Sequence, residues 1–357
     1  MAPLNWGLGH VTRCIPIIKE FSNQNCELIL VAGKNSFTLL KKEFPSMIIL
    51  PFFGYNIKYS HSGSYLVFKL FLQLPGFLAG IYKEYKWLKK TIKNYQPDVI
   101  ISDSRLGLYN QDIVSIYITH QLAIRTGNSI LDKIARNIHY RFIKNYDQCW
   151  VPDFKENGLA GRLSHPEKLP LNTIYLGALS RFEYLPAIEK IYDLLISISG
   201  PEPQRTIFEN IIFQQLKNSE KKILIVRGLP GEKKRITHEN SFVEIVNHLS
   251  ATDLSRAFQE SELIVCRSGY TTIMDLIRIK KKAILVPTPG QTEQEYLASF
   301  LMKNKNFFSV KQKNFNLENA LTKSAAFPYI SRNDNMDTYK KIIEEFVHLV
   351  KCDKFST

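Results

Sequence analysis

The chain has 357 residues, 45% hydrophobic, 12% aromatic and 22% charged, a globular composition with no linker-like tract; at roughly 100–200 residues per domain, two domains are expected. The formal charge of +14 points to an anionic partner: a nucleotide, a nucleic acid or an acidic membrane face. Cys14, Cys26, Cys149, Cys266 and Cys352 are odd in number, far apart and without C-x-x-C spacing, which excludes a disulfide scaffold, speaks against structural zinc and fits a reducing cytoplasm.

The segment Met1-Ala2-Pro3-Leu4-Asn5-Trp6 has neither the basic nor the apolar region of a secretory signal. The turn that follows, Trp6-Gly7-Leu8-Gly9-His10, ordinarily succeeds a complete strand, so the native chain is expected to begin upstream of Met1. Aliphatic runs then predict strands at 27–31, 47–52, 99–102, 115–119, 149–152 and 173–176, with helices at 12–22, 66–94 (broken near Pro75) and 130–145. Lys69, Gln73 and Pro75 interrupt the most apolar stretch, which falls short of the roughly 18 apolar residues a transmembrane helix needs. The pattern pauses at 176–182, where a domain boundary after residue 178 is expected, and a charged helix is predicted at 186–192. Further strands are predicted at 194–199, 222–226, 242–247, 263–266, 283–287 and 308–310, and helices at 204–216, 254–260, 272–279, 293–304 and 317–323. A final helix at 336–351, with Ile342, Ile343, Phe346, Val347 and Val350 on one face, begins a C-terminal piece (336–357) and has no strand after it, so it must cap something. Strand–helix alternation throughout predicts two doubly wound α/β domains, 1–178 and 179–335, with ligands at the carboxyl ends of the strands in the cleft between them.

Three motifs sit at such strand ends. Gly7-Leu8-Gly9-His10-Val11-Thr12-Arg13 enters a helix: glycines let a ligand approach the backbone, the helix start favours anions, and His10 titrates near neutrality. A plain tight turn with a capping histidine is the alternative. Arg267-Ser268-Gly269-Tyr270-Thr271-Thr272 follows a strand and opens a helix, placing hydroxyls and N–H groups where a diphosphate would sit, and Asp275 lies one turn further, suited to ribose hydroxyls. An ordinary Ser/Thr cap explains the same residues. In Pro287-Thr288-Pro289-Gly290-Gln291-Thr292-Glu293-Gln294-Glu295, Gln294 and Glu295 suit sugar hydroxyls or a solvated first turn.

Together these motifs resemble a GT-B glycosyltransferase with a family 28 C-terminal domain, similar to the peptidoglycan N-acetylglucosaminyltransferases; the resemblance is specific in the C-terminal half. It implies an inverting, metal-independent transfer from a UDP-sugar with no further cofactor, the nucleotide held by domain 179–335 and the acceptor by domain 1–178. It also implies roles. Arg267, Ser268, Gly269, Thr271 and Thr272 cradle the diphosphate, and Asp275 stands where the family has a ribose-binding Glu. Gln294 meets the donor sugar, while Glu295 replaces a second Gln, a departure that bears on N-acetylglucosamine as donor. Arg181 matches an interdomain arginine that reaches the phosphates, His248 and Leu249 the loop that reads uracil, and Gly9 and His10 the N-terminal Gly-His pair. Gly200 belongs to a second glycine-rich loop in which Pro201 and Pro203 remove N–H donors, a loss Arg205 is expected to offset by charge.

Chemistry at the anomeric carbon needs a base for the acceptor hydroxyl and stabilisation of the leaving diphosphate. His10 is the first candidate base and Asp103, at a strand end, the second, unless Asp103 only initiates a turn or pairs with Arg105. Arg13 and Arg181 are expected at the phosphates and His120-Gln121 at the acceptor, and no Asp-x-Asp motif offers a catalytic metal site. Phe68, Phe71, Leu72, Leu74, Phe77 and Leu78, followed by Lys83, Lys86, Lys89, Lys90 and Lys93, suit either peripheral contact with an anionic membrane on its cytoplasmic face or an amphipathic core helix. A UDP-sugar epimerase on the same scaffold, an inert nucleotide- or membrane-binding protein, and a nucleic-acid binder are the alternatives; the last rests on charge alone.

Overall fold

The computed structural model describes residues 1–4, 8–52, 66–124 and 129–354. Gly7 of the Gly-His turn and the side chains of Phe68, Phe71, Leu72 and Leu74 lie outside the described residues. The chain divides into two compact units, Met1–Leu179 with Asn335–Thr357, and Ser180–Asp334. Both are Rossmann-like α/β units with parallel sheets.

The first unit contains β1 (Ala2–Pro3), α1 (Leu8–Asn23), β2 (Ile29–Ala32), α2 (Lys34–Glu43), β3 (Ile48–Pro51), α3 (Leu66–Tyr95), β4 (Val99–Asp103), β5 (Val114–Ile118), α4 (Ser129–Ile143), β6 (Gln148–Val151) and β7 (Thr173–Tyr175). Its main sheet has the order β1-β4-β5-β6-β7, and the β2–β3 pair continues beyond β1, where the Val31 N–H donates to the Met1 carbonyl at 2.9 Å. Strands β2, β4, β5 and β6 are mostly buried, as parallel strands covered by helices require, whereas β3 and β7 are partly exposed. The last helix, α10 (Thr338–Lys354), belongs to this unit: Phe346 meets the buried Trp150 ring edge-on at 5.5 Å, and Trp150 stacks on Phe21 of α1. Burying Phe346 contributes about 1.5–3 kcal/mol, which accounts for a terminal helix with no strand after it.

The second unit runs β8 (Tyr192–Ser197), α5 (Gln204–Gln215), β9 (Ile223–Val226), β10 (Val243–Val246), α6 (Ala251–Glu260), β11 (Ser261–Cys266), α7 (Tyr270–Arg278), β12 (Ala283–Leu285), α8 (Thr292–Lys303), β13 (Phe308–Ser309) and α9 (Leu317–Ala325). Its strand order, β10-β9-β8-β11-β12-β13, is that of a doubly wound sheet with a reversal between β8 and β11.

Two expectations need correction. Residues 186–192 form no helix, because their flanks are captured by Gln259 of α6: its side chain accepts the Leu185 N–H at 2.7 Å and donates to the Glu183 carbonyl at 3.0 Å, and Lys190 donates to its backbone carbonyl. Nor does α3 break at Pro75; it runs continuously for 30 residues, giving up only the hydrogen bond that the proline nitrogen cannot make.

Candidate active site

In the first unit the strand order reverses between β1 and β4, the position where open α/β sheets bind ligands. Pro3 and Asp103 pair across the carboxyl ends of these strands, and α1 starts a few residues beyond Pro3. Topology therefore brings together His10 and Arg13 from α1, Asp103 from β4 and His120 from the end of β5. The Arg13 guanidinium is the hub. Nε donates to both Asp103 oxygens at 3.1 and 3.2 Å, Nη2 to Asp103 and to Ser104 Oγ, and Nη1 to His120 Nδ1 at 2.8 Å. Because arginine only donates, His120 accepts at Nδ1 and carries its proton on Nε2.

His10 Nδ1 lies 3.0 Å from Asp103 Oδ2 and 2.8 Å from Arg13 Nη2. Nδ1 cannot both accept from Arg13 and donate to Asp103; Nη2 already has acceptors in Asp103 and Ser104, whereas Asp103 can only accept, so the Nδ1 proton is assigned to the Asp103 bond, leaving the Nε2 lone pair free. Nε2 has no hydrogen bond among the described residues, and the side chain is 20% exposed. Burial, followed by the Arg13 charge, lowers the pKa of His10 despite Asp103, so the ring is neutral at neutral pH. Burial pushes Asp103 the other way, but Arg13, His10 and their hydrogen bonds outweigh it and hold the carboxyl well below the usual range. Asp103 is 0% exposed, its carboxylate facing Arg13 and His10. Gln121, next to His120, donates its backbone N–H to Thr119 Oγ1.

In the second unit the reversal lies between β8 and β11. Past β11, Gly269 stands at the start of α7, and no acidic residue occupies the helix's first turn. Thr271 and Thr272 are half-buried in that turn. A Cβ placed on Gly269 would meet only Thr272 Oγ1, at 4.0 Å. Ser268 is buried and donates to the Gln294 carbonyl at 2.8 Å, joining the starts of α7 and α8. Beside them Gly200, at φ +113°, adopts a conformation that favours glycine, and the buried Thr288 Oγ1, 3.4 Å from where a Gly200 Cβ would lie, has no partner.

The remaining expected site residues are largely engaged by the protein itself. Asp275 in α7 accepts from Ser180 Oγ at 2.6 Å and lies 4.0 Å from Arg181 Nε, a buried donor without a hydrogen-bond partner among the described residues; burial raises the Asp275 pKa to about 6 against the pull of Arg181. Gln294 accepts the Thr288 N–H at 3.0 Å and donates to Gln291, while Glu295 accepts the Gly290 N–H at 3.1 Å, so both shape the 288–291 turn. His248 is exposed and Leu249 half-buried just before α6. Arg205 does not offset the prolines of its loop, because Glu202 and Glu209 hold its charge. Arg267 is 1% exposed, donates to the carbonyls of Ser199, Gln204 and Val286, and lies over the Phe208 ring, so it braces the loop from within. Motif reading placed Arg13 at phosphates and missed its bridging of Asp103 and His120; it also missed Ser180 and Thr288, whose partners lie far away in sequence. Among the described residues no three His, Cys, Asp or Glu side chains gather as a metal site.

Residues 204–346 match the glycosyltransferase family 28 C-terminal domain. An uncharacterized glycosyltransferase of Methanosarcina acetivorans is 23% identical, over 81% of this chain and 79% of that protein. The UDP-N-acetylglucosamine--N-acetylmuramyl-(pentapeptide) pyrophosphoryl-undecaprenol N-acetylglucosamine transferase of Alkaliphilus oremlandii is 26% identical, over 83% of this chain and 81% of its own. The crystal structure of the glycotransferase of kitacinnamycin aligns with a TM-score of 0.64 at 10% identity, covering 98% of this chain and 94% of its own, a likeness of fold. The chain is thus a glycosyltransferase of GT-B fold, related to family 28 through its C-terminal domain.

Proposed function

We propose that the chain transfers N-acetylglucosamine or a related hexose from a UDP-sugar to a lipid-linked or glycan acceptor, with inversion and without a metal ion in the step. The observation that carries this reading is the His10–Asp103 pair: a neutral imidazole with a free Nε2, backed by a buried ionised carboxylate. The acceptor hydroxyl gives its proton to His10 Nε2 as its oxygen forms the new bond to the anomeric carbon, and the bond to the diphosphate breaks. Asp103 orients the ring and stabilises the imidazolium. The start of α7 receives the departing charge with Ser268, Gly269, Thr271, Thr272 and Arg181, while Asp275 exchanges Ser180 for ribose hydroxyls. His248 and Leu249 take the base, Gly200, Gln294 and Glu295 the sugar and its turn, and His120 and Gln121 the acceptor. The name of the Alkaliphilus relative supports UDP-N-acetylglucosamine and a polyprenyl-diphosphate acceptor.

Among the described residues no helix is long and apolar enough to cross a membrane. Peripheral contact with an anionic cytoplasmic membrane face is part of the proposal, supported by α4: Ile130, Ile134 and Ile138, 70%, 50% and 47% exposed, line one face beside Lys133 and Arg141.

The test incubates the protein with UDP-N-acetylglucosamine, UDP-glucose or UDP-galactose and N-acetylmuramyl-(pentapeptide) pyrophosphoryl-undecaprenol, with and without EDTA. EDTA-resistant, acceptor-dependent release of UDP is expected. Absence of UDP release from every donor by folded protein, with this acceptor and with extracted membrane lipids, contradicts the reading.

A further inference from the structure

Beneath the His10–Asp103 pair lies a second ion pair that the transfer step does not use. Arg105, two residues past Asp103, and Glu84 of α3 are both fully buried, with Arg105 Nη1 donating to Glu84 Oε1 at 2.9 Å. The other Glu84 oxygen accepts the Gly107 N–H at 3.0 Å. Arg105 Nε donates at 2.9 Å to the carbonyl of Pro3, the β1 residue in register with Asp103. The Arg105 carbonyl in turn accepts from Ser102 Oγ and Tyr146 Oη, both at 2.6 Å. These bonds close a tight turn around Ser104, whose φ of +58° is a left-handed conformation unusual for serine.

We infer that Arg105, seated on Glu84, is a positioning residue: it clamps the end of β1 to the turn that carries Asp103 and so fixes that carboxylate against His10 and Arg13 of α1. Three features support this over a purely stabilising role. A buried ion pair is no more stabilising than well-packed apolar residues of similar volume, so its presence here is better explained by the directions it imposes. The fork is not placed for full satisfaction: Nη2 is buried without an acceptor among the described residues, and the guanidinium lies 5.3 Å from the Phe52 ring, so the bonds to Pro3 and Glu84 set its position. Finally, the contact with α3 has no slack, since a Cβ on Gly107 would lie 2.3 Å from the Ile81 carbonyl oxygen. The backbone on both sides of Asp103 is thereby held by side chains that never meet substrate.

The inference rests on the assignment of His10 as base, and the test separates the two. Nitrogen-15 NMR of uniformly histidine-labelled protein reads the protonation of each His10 nitrogen, with the signals assigned by their loss in His10→Gln. In the wild type at pH 7 the proton is expected on Nδ1 and Nε2 is bare. In Arg105→Lys and Glu84→Gln the shifts of the two nitrogens should move toward exchange-averaged values, because the Asp103 bond that fixes the Nδ1 proton is loosened. Tyr146→Phe, which removes one bond to the Arg105 carbonyl, should give a smaller change of the same sign. Phe346→Ala, a destabilising core change remote from the clamp, should leave the signals unchanged. If Arg105→Lys fails to fold, Glu84→Gln and Tyr146→Phe decide. Wild-type His10 signals in folded Glu84→Gln and Tyr146→Phe, or equal displacement in Phe346→Ala, would overturn the clamp. A wild-type proton on Nε2 would instead overturn the base assignment, and the comparison among variants would still decide the clamp.

Discussion

The two units carry similar sheets and use the same place in them for different chemistry. Each reverses its strand order once, between β1 and β4 in the first and between β8 and β11 in the second. At the first reversal stand His10, Arg13, Asp103 and His120, a cluster that sets protonation states. At the second stand the start of α7 without an acidic residue, the open space at Gly269 and the Thr288 hydroxyl. The scaffold supplies an address, and the residues at that address decide whether it handles protons or anions. The division predicts that damage to one reversal leaves the function of the other intact.

The largest expected effect is on the proton-handling side. His10→Ala should lower kcat about 10²–10⁴-fold while UDP binding stays within about twofold, by steady-state kinetics and calorimetry. Since the folded pKa of His10 is lowered, the acid limb of the wild-type rate should lie below 6.5. Arg13→Met leaves Asp103 buried without its main partner, so stability should fall by about 3–5 kcal/mol in denaturant titrations. On the anion side, the folded pKa of Asp275, about 6, lies above its ordinary 3.8, so the folded state binds the proton more tightly. Stability should therefore decline as pH rises from about 4 to 6, by roughly 2–3 kcal/mol, and Asp275→Asn should abolish this slope. The smallest effect sharpens the comparison most. Gly269 has an ordinary φ of −70° and room for a Cβ, so Gly269→Ala should leave the melting temperature within about 1 °C yet weaken UDP about tenfold, because the methyl takes space the diphosphate needs.

Much of the fold was legible because its strands are short aliphatic runs and its helices are periodic, as in Ile223–Val226, buried throughout. The elements that escaped have local causes. Helix α2 follows Gly33 and has Asn35 and Ser36 in its first turn, poor helix formers in sequence, and relies on Ser36 Oγ accepting the Gly33 N–H at 2.9 Å. Residues 186–192 look helical by charge pattern, yet a single distant glutamine, Gln259, captures their flanks. The site was legible as a set of strand ends and illegible as a network. His10 and Asp103 are 93 positions apart, and no spacing rule shows that Arg13 joins them to His120. The engagement of Arg205 by Glu209 was within reach, one turn along α5, and Glu202 stands three residues before it in the turn that precedes the helix.

The most direct test of the division of labour is calorimetric titration of UDP into the wild type, His10→Ala and Gly269→Ala, each shown to be folded. The account predicts equal affinity for wild type and His10→Ala and about tenfold weaker binding to Gly269→Ala. Failure of folded wild type to bind UDP, or loss of binding in His10→Ala with none in Gly269→Ala, would contradict it.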